Sequence, residues 1–393
     1  MNGVKITGCG KCIVGDDVPG VTVTNDGIQD RLQRRWEEIS NVNSIDPDDI
    51  GGLQEAAIMY NERYFTNDTW IKKRIGIIER RFADPSITTS DVGAFALQKA
   101  LECAGLPFEK LERIDLGTVT PDYLYSPPTT AVIAKKIGKR CELPEGWAPL
   151  FGADTLAACC SFIATMQNTC NSIAAGTTKN GAAIGADIMS RTVSIDNRNF
   201  YVVLGDGGAA LILEACAPNE GSFIPGSFTF GYEGEYAERI IARAGGSQMP
   251  ITHSLLDLSA HMLDMDGREV FEELITMLYS EESPEKSFIG KALMQINKNP
   301  SNLNHIFFHQ ANLRMIKPVE KMLRKNGFKG RVFNNIQKYG NTTSASIPLL
   351  LTEAHEEGIL NYGENALIVV MGGGYSFGTI YIDKWTVNET CPV

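Results

Sequence analysis

The sequence lacks any uninterrupted apolar stretch that approaches the ~18 residues of a membrane-spanning helix. Its first residues, MNGVKITGCG, also lack the charged start and the long apolar run of a secretory signal peptide. The net charge of −11 at pH 7 leaves no excess of cations with which to wrap a nucleic acid. These absences predict a protein that has neither a membrane nor a nucleic acid as its partner.

The cysteines lack a regular spacing, and their number, nine, is odd. In a chain of this size that usage favours a reducing cytoplasm with mostly buried thiols. Cys9 and Cys12 form a single C-x-x-C pair, and without a second pair a zinc site there is not expected. GDGGAA lacks the final glycine of a dinucleotide-binding fingerprint, and DPDDIG lacks the glutamate of an EF-hand loop. No metal site is therefore predicted.

What the chain does have is length and an alternation of strand-like and helix-like segments. Its 393 residues are enough for two domains or two large half-domains, and its 43% hydrophobic content can fill a large core. YVVLGDGGAALILEA and NALIVVMGGGYSFGTIYID both predict two strands around a glycine-rich turn. We therefore expect an α/β protein of two related halves, residues 1–215 and 216–393, with a polar segment at 25–66 that carries a surface helix.

Two adjacent cysteines in TLAACCSFIATM raise the question of whether either is a nucleophile. Cys159 directly precedes a predicted helix, whose oriented N–H groups can lower a thiol pKa and hold an oxyanion. Cys160 points about 100° further around the helix, so at most one of the two thiols can face a given pocket. Taken alone, the segment favours two buried structural cysteines.

Two polar residues elsewhere in the chain occupy similar junctions between a strand and a helix. His309 follows the predicted strand IFF and precedes a helix, which places it where open α/β sheets collect their ligands. Asn341 lies in YGNTTSASIP just before another helix, where by itself it is expected to be a helix cap. The combination of Cys159, His309 and Asn341 is better evidence for a catalytic site than any one of them.

Four segments, AACCSF, HQANLRM, YGNTTSASIP and MGGGYSFG, resemble the signature segments of β-ketoacyl-acyl carrier protein synthase III, a family of the thiolase superfamily. DTWIKKRIGIIERR, GADIMSRT, GDGGAA and DGREVF match in the same order, so the resemblance covers nearly the whole chain. It implies a thiolase-like five-layered αβαβα fold made of two related halves. The N-terminal half would carry the nucleophilic cysteine, and the C-terminal half the histidine and the asparagine.

The resemblance also implies roles for individual residues. Cys159 matches the acyl-accepting nucleophile, and His309 and Asn341 match the pair that binds the extender thioester and promotes its decarboxylation. The backbone N–H groups of Cys159 and Gly373 match the oxyanion hole. The remaining matches are implied contacts of coenzyme A or pantetheine (Trp70, Arg74, Arg198, Gly267, Phe271) and of an acidic carrier protein (Arg314, Lys321).

The implied reaction is acylation of Cys159 by acyl-CoA or acyl-carrier protein, followed by decarboxylative condensation with malonyl-carrier protein. It needs no metal or redox cofactor, and the family implies a homodimer. Two alternatives stay open. One is acyl transfer to an oxygen or nitrogen acceptor in secondary metabolism, and the other is a non-catalytic acyl-binding subunit of a heterodimer.

The chain departs from the family pattern around the acyl-binding region. Ser161 replaces a glycine two residues after the nucleophile, and Met371 replaces a common phenylalanine before the glycine turn. PDYLYSPP resembles the loop that contributes an acyl-pocket aromatic residue from the partner subunit, but it has an extra residue, and Tyr125 is the position that the resemblance indicates. The segments 25–66 and 139–152 are longer than usual. These departures leave the starter acyl group and the acceptor undetermined.

Overall fold

The computed structural model describes residues 1–40, 49–141, 151–265, 267–280, 283–388 and 391. Its strands in chain order are β1 (Gly3–Cys12), β2 (Gly20–Thr24), β3 (Glu79–Ala83), β4 (Ile114–Gly117), β5 (Asp154–Thr155), β6 (Asn180–Ile188), β7 (Asp206–Cys216), β8 (Phe228–Tyr232), β9 (Ile240–Ile241), β10 (Asp264–Met265), β11 (His305–Phe308), β12 (Arg331–Val332), β13 (Ala366–Gly372) and β14 (Ser376–Ile382). Its helices are α1 (Asn25–Ile39), α2 (Ile50–Arg63), α3 (Asp68–Arg74), α4 (Thr89–Ala104), α5 (Thr129–Arg140), α6 (Ser161–Ala174), α7 (Arg198–Tyr201), α8 (His253–Asp257), α9 (Gly267–Leu278), α10 (Phe288–Gln295), α11 (Leu313–Lys325), α12 (Ile336–Tyr339) and α13 (Ser346–Glu356).

Two five-stranded mixed sheets organise the chain, and they share one pattern of pairing. The first has the order β1-β7-β6-β4-β5 and the second the order β8-β14-β13-β11-β12. Along each order the first two pairs are antiparallel and the last two are parallel. This repeated arrangement agrees with two related halves, whereas the boundary between residues 215 and 216 stays a prediction.

Helices cover both sheets and also fill the space between them. α6 and α13 contact strands of both sheets and form the middle layer, while α4 and α5 pack on the outer face of the first sheet. The outer face of the second sheet is covered by α10 and α11, in a separate hydrophobic cluster. The fold is therefore the thiolase-like five-layered αβαβα arrangement that the resemblance implied.

The apolar stripe of α6 is buried as its spacing predicts, with Phe162, Met166, Cys170 and Ile173 all in the central core. The long helix α4 begins one to three residues earlier than expected. Its N-cap is Thr88, which forms a capping box with Asp91, whereas the sequence favoured a cap at position 90 or 91.

One predicted strand pair is wrong. In YVVLGDGGAALILEA the first residues belong to helix α7 and the turn after it, and only Asp206–Cys216 forms a strand. Other parts of the chain use the backbone carbonyls that a strand would need, because Arg80 donates to Val202 and the N–H of Asn341 donates to Val203. The second pair is confirmed, since β13 and β14 pair from Ala366↔Ile382 to Gly372↔Ser376.

The described parts of the 25–66 segment, residues 25–40 and 49–66, form α1, α2 and the turn after α2. Ile28, Leu32 and Trp36 of the predicted stripe on α1 are buried, and the Trp36 ring packs against Tyr60 and Tyr64 of the α2 region. Ile39, the fourth member of that stripe, is exposed instead, because it lies at the end of the helix. Most of the other long segment, 139–152, lies outside the described residues.

Four free cysteines are buried as expected, at positions 9, 12, 160 and 170. The sequence did not predict the disulfide between Cys103 in α4 and Cys391 in the C-terminal tail, which joins residues 288 positions apart. None of the helices in the described ranges combines the length and the hydrophobicity that a membrane-spanning segment requires.

Candidate active site

Cys159 lies in a tight turn that leads into α6. The preceding residue, Ala158, has a left-handed backbone with φ of 50°, which is unusual for a residue with a side chain. Ser161 stabilises this turn, because its hydroxyl accepts from the Ala157 N–H at 2.9 Å and donates to the Ala158 carbonyl at 2.6 Å. Ser161, which departs from the family pattern, therefore stabilises the turn that holds the nucleophile.

The two adjacent cysteines have different surroundings, as the sequence predicts, although Cys159 lies in the turn before α6 and Cys160 is the N-cap of that helix. Cys160 is buried in the central hydrophobic core with 2% of its surface exposed. Cys159 is only partly buried and lines a cavity. Of the two thiols, Cys159 is thus the one that a substrate in this cavity can reach.

The turn between β13 and β14 packs directly on Cys159. A Cβ atom added to Gly372 would lie 2.8 Å from the Cys159 nitrogen, so only a glycine fits at this approach. The backbone N–H groups of Gly373 and of Cys159 itself lie near the sulfur and act to lower the pKa of the thiol. The sequence named these two N–H groups as an oxyanion hole, and the structure brings both to the same sulfur.

Burial dominates the protonation state of the thiol. It raises the pKa of Cys159 to about 12, helped by the nearby Cys160 and Asp187 and opposed by the two backbone N–H groups. The resting site therefore holds a neutral thiol.

His309 follows β11, and the hydrogen bond from its backbone N–H to the Val369 carbonyl, at 2.8 Å, extends the sheet pairing. Its ring is 1% exposed, and neither ring nitrogen has a hydrogen-bond partner among the described residues. Burial lowers the pKa of His309 to about 4, so the imidazole is neutral at pH 7 and carries one N–H donor.

Asn341 follows Gly340, which has a left-handed φ of 68°. The main chain of Asn341 is fixed by two hydrogen bonds, since its N–H donates to the Val203 carbonyl and its carbonyl accepts from the Gly205 N–H. Its side-chain oxygen accepts from the Thr343 N–H at 2.9 Å. That bond commits the oxygen, so the amide NH₂ is the group that Asn341 offers to a substrate.

Cys159, His309 and Asn341 line a single cavity of about 440 Å³, together with Gly373. The remaining walls are mostly apolar, with Val119, Phe200, Leu204, Ile240, Met315 and Met371 among them. At the edge of the cavity, Leu156 and Tyr232 are 74% and 67% exposed. Such a cavity combines a few polar groups with room for an alkyl chain.

The sequence did not identify Asp187, whose hydrogen bonds support the site. Its fully buried carboxylate accepts hydrogen bonds from the side chain of Thr118 and from the backbone of Val119 and Ser344. Burial raises the pKa of this carboxyl group. The available signal was an acidic residue inside the otherwise apolar strand GAAIGADI.

Three of the residues named for coenzyme A lie together outside the cavity. The guanidinium groups of Arg74 and Arg198 lie 4.7 and 5.0 Å from the centre of the Trp70 ring. Arg198 also donates to the carbonyls of Asn61 at 2.9 Å and Phe65 at 2.6 Å, so the 25–66 segment holds it in place.

The other two residues named for pantetheine, Gly267 and Phe271, belong to α9, and the surroundings of both lie outside the described part of the structure.

The two residues named for carrier-protein docking, Arg314 and Lys321, are exposed on α11. Lys317, Arg324 and Lys325 lie on the same helix, and Glu320 forms an ion pair with Arg324. Tyr125 is 83% exposed and donates its hydroxyl to the Gly245 carbonyl at 3.2 Å. Within this chain it therefore takes no part in the walls of the cavity.

Comparison with known proteins identifies the family. Residues 153–232 match the family model described as 3-Oxoacyl-[acyl-carrier-protein (ACP)] synthase III, and residues 293–384 match its C-terminal counterpart. The chain is 34% identical over 322 residues to Beta-ketoacyl-[acyl-carrier-protein] synthase III of Clostridioides difficile, covering 82% of this chain and 91% of that protein. It is 33% identical to the Chlorobium luteolum protein of the same name, covering 81% and 92%.

Solved structures agree. The 3-oxoacyl-[acyl-carrier-protein] synthase III of Aquifex aeolicus aligns over 96% of this chain and 99% of its own, with 27% identity and a TM-score of 0.72. The priming β-ketosynthase of the R1128 polyketide pathway, at 20% identity, shares the fold over 100% and 98% of the two chains with a TM-score of 0.75. By sequence and by fold, this chain belongs to the β-ketoacyl-acyl carrier protein synthase III family of acyl-transferring condensing enzymes.

Proposed function

We propose that this chain takes an acyl group from a thioester onto Cys159 and condenses it with a malonyl thioester. The observation that carries the proposal is the shared cavity, in which a reachable thiol, two backbone N–H groups, a neutral imidazole and a side-chain amide face the same space. The relatives named above are synthases of fatty acid and polyketide pathways, and either kind of pathway suits an apolar acyl pocket.

The first half-reaction is acyl transfer. The Cys159 sulfur attacks the carbonyl carbon of the acyl thioester, the oxyanion accepts from the N–H groups of Cys159 and Gly373, and the carbon–sulfur bond to the donor breaks. The thiol proton leaves with the donor as its free thiol. Because the resting thiol is neutral, its proton must be lost as the new bond forms.

The second half-reaction uses His309 and Asn341 as neutral hydrogen-bond donors. They bind the carbonyl oxygen of the malonyl thioester, so that the electrons freed when the carbon–carbon bond to CO₂ breaks are held as an enolate. The enolate carbon attacks the acyl-enzyme carbonyl and releases the Cys159 thiolate, which regains a proton. The chain's own groups suffice for these steps, and we propose no metal or redox cofactor for them.

The proposed partners are acidic or anionic. Coenzyme A would contact the cluster of Trp70, Arg74 and Arg198, and an acidic carrier protein would dock on the exposed cations of α11, which include Arg314 and Lys321. Gly267 and Phe271 keep their proposed place along the pantetheine arm. Separate incubations with acyl-CoA and with acyl-carrier protein would show which of the two donors acylates Cys159.

We also propose that the enzyme is a homodimer. The loop with Tyr123, Leu124 and Tyr125 is exposed and apolar, between 53% and 83% per residue, and Leu156 is exposed at the cavity edge. A second copy would cover these groups, and sedimentation equilibrium would give the mass directly. Localisation in the cytoplasm is likewise a proposal, to be checked by cell fractionation.

The main test is intact-protein mass spectrometry after incubation with a panel of acyl thioesters. We expect the mass of one acyl group to appear on the wild type and on Cys160→Ala, but not on Cys159→Ala. Cys160→Ala is the matched control, because it removes the adjacent thiol without touching the cavity. An acyl group that stays on Cys159→Ala would show that the wrong sulfur has been assigned.

A second measurement separates condensation from the alternatives. Acylated enzyme supplied with malonyl-carrier protein should release CO₂ and form a β-ketoacyl thioester. Acyl transfer to an alcohol or amine without CO₂ release would instead indicate an acyltransferase of secondary metabolism. An enzyme that loads no acyl group at all, and is active only with a second subunit, would indicate a non-catalytic partner of a heterodimer.

A further inference from the structure

Three cysteines and one histidine from four distant parts of the chain meet beside the C-terminal tail. They are Cys9 in β1, Cys103 in α4, His355 in α13 and Cys391 in the tail. One ligand atom each from Cys9, His355 and Cys391 lies within 4.8 Å of the other two, and Cys103 is bonded to Cys391. The Cys103 sulfur also accepts from the backbone N–H of Cys9 at 3.3 Å.

Three thiolates and one imidazole form a common ligand set of structural zinc sites. In a tetrahedral site with zinc–sulfur bonds of about 2.3 Å, neighbouring sulfurs lie roughly 3.8 Å apart. The ligand atoms of Cys9, His355 and Cys391 already lie within 4.8 Å of one another, and after reduction the Cys103 sulfur would have to move away from Cys391 to complete the shell. The C-x-x-C pair noted in the sequence is a different combination, because Cys12 does not belong to this cluster.

The surroundings of His355 fit the role of a ligand. Its Nδ1 atom accepts from the Trp385 Nε1–H at 3.2 Å and also lies 3.3 Å from the Leu360 carbonyl oxygen. A zinc-bound histidine usually donates its second ring N–H to a backbone carbonyl, which fixes the ring and its tautomer. An indole N–H can only donate, so the Trp385 contact needs an unprotonated Nδ1, whereas a bond to the Leu360 carbonyl needs Nδ1–H. Zinc binding through Nε2 selects the tautomer with Nδ1–H directed at Leu360 and gives up the hydrogen bond from Trp385.

We propose that these four side chains bind one Zn²⁺ ion when the Cys103–Cys391 disulfide is reduced. The disulfide and the metal complex exclude each other, because a sulfur in a disulfide is not a thiolate. Two equivalents of a small thiol such as glutathione supply the two electrons and two protons of the reduction and become its disulfide. Zinc then displaces the protons of the three thiols and binds the neutral imidazole.

The site has a clear structural consequence, since it fastens the tail to the N-terminal half. Trp385 and Val387 are fully buried in the central core, and the Thr386 hydroxyl accepts from the N–H of Ile6 at 2.9 Å and donates to its carbonyl at 2.7 Å. None of the four proposed ligands lines the cavity of Cys159. Zinc would therefore stabilise the fold without entering the reaction.

The test uses the full-length protein, reduced with a phosphine and freed of metal by a chelator. Titration with Co²⁺ should give about one equivalent per chain and the absorption bands of a tetrahedral thiolate site, and Zn²⁺ should displace it. Zn²⁺ should also raise the melting temperature of the reduced protein. The oxidised protein should show neither the Co²⁺ bands nor the shift in melting temperature.

Single variants assign the ligands. Cys391→Ser and His355→Gln should each weaken Co²⁺ binding at least tenfold, whereas the matched control Cys12→Ser, in the same strand as Cys9, should bind as the wild type does. Acylation of Cys159 reports that each variant is folded, and its retention in Cys391→Ser keeps this test separate from the proposed reaction. Absence of stoichiometric Co²⁺ binding in the reduced protein, or binding that survives both ligand variants, would overturn the proposal.

Discussion

Replacing Gly372 by alanine tests how closely the glycine turn positions the nucleophile. The added Cβ would lie 2.8 Å from both the nitrogen and the Cβ of Cys159, about 0.6 Å less than the 3.4 Å at which ordinary contact begins. The backbone of Gly372 is extended, with φ of −158°, so alanine brings no dihedral strain of its own. We therefore expect the effect to be a displacement of Cys159 relative to the glycine turn that carries the Gly373 N–H.

We expect Gly372→Ala to slow single-turnover acylation of Cys159 by roughly 10- to 100-fold, since small misplacements of reacting groups carry penalties of that order. Overpacking should also lower the free energy of unfolding by about 1–3 kcal/mol. Rates are measured by quenched-flow mass spectrometry, and stability by urea unfolding.

The matched control is Gly105→Ala, at the end of α4. Its φ is 63° and no atom lies within 4 Å of the added Cβ, so it costs about 1–2 kcal/mol through the backbone alone. It should destabilise the fold without slowing acylation. If Gly372→Ala acylates within twofold of the wild type, or if Gly105→Ala is slowed equally, the reasoning about positioning is wrong.

Three further predictions concern the polar groups. Asn341→Asp keeps the bond from the Thr343 N–H but directs an anion at the enolate, so acylation should persist while CO₂ release falls roughly 10²- to 10³-fold. Asp187→Asn removes a charge that raises the pKa of Cys159, so the pH midpoint of iodoacetamide alkylation should move down; an unchanged midpoint would contradict this. Burial lowers the pKa of His309 from 6.5 to about 4. As the pH falls, the unfolded chain therefore binds a proton at this histidine before the folded chain does. Stability present above pH 6.5 should therefore decline by about 3 kcal/mol as the pH falls to 4, and urea unfolding of His309→Gln should lack that share of the decline.

Local patterns in the sequence were enough to predict the elements that present the nucleophile. The spacing along TLAACCSFIATM placed Cys159 and Cys160 on different faces, and the structure buries one and opens the other to the cavity. The apolar stripe of α6 and the hairpin of β13 and β14 also depend on neighbouring residues, and both are confirmed. Hydrophobic periodicity depends only on neighbouring residues, so it is sufficient to predict these elements of the fold.

Long-range partners account for what the sequence did not reveal. Val202 and Val203 have strand-like side chains, yet Arg80 and Asn341, each more than a hundred residues away, take their carbonyls. The pairing of Cys103 with Cys391 likewise depends on where the tail returns. No local spacing of residues encodes such contacts. The sequence around the turn at Gly205 is compatible both with a strand and with a helix before it.

The same kind of contact gives the 25–66 segment its place in the site. Arg35 and Tyr64 from this segment both bind the carboxylate of Asp196, two positions before Arg198. The carbonyls of Asn61 and Phe65 then accept from the Arg198 guanidinium itself. The segment predicted as a surface extension therefore positions one of the residues that we propose for coenzyme A.

Burial links the two halves of the proposed reaction. The same apolar cavity raises the pKa of Cys159 and lowers the pKa of His309, so both groups are neutral before substrate arrives. A thiolate–imidazolium pair would attack more readily, but an ion pair between the mostly apolar walls of this cavity would be costly, since the His309 ring has no hydrogen-bond partner among the described residues. Neutral donors avoid that cost, and between apolar walls they interact more strongly with developing charge than they would in bulk water. The chemistry should accordingly depend more on the placement of N–H groups around the cavity than on any resting charge within it.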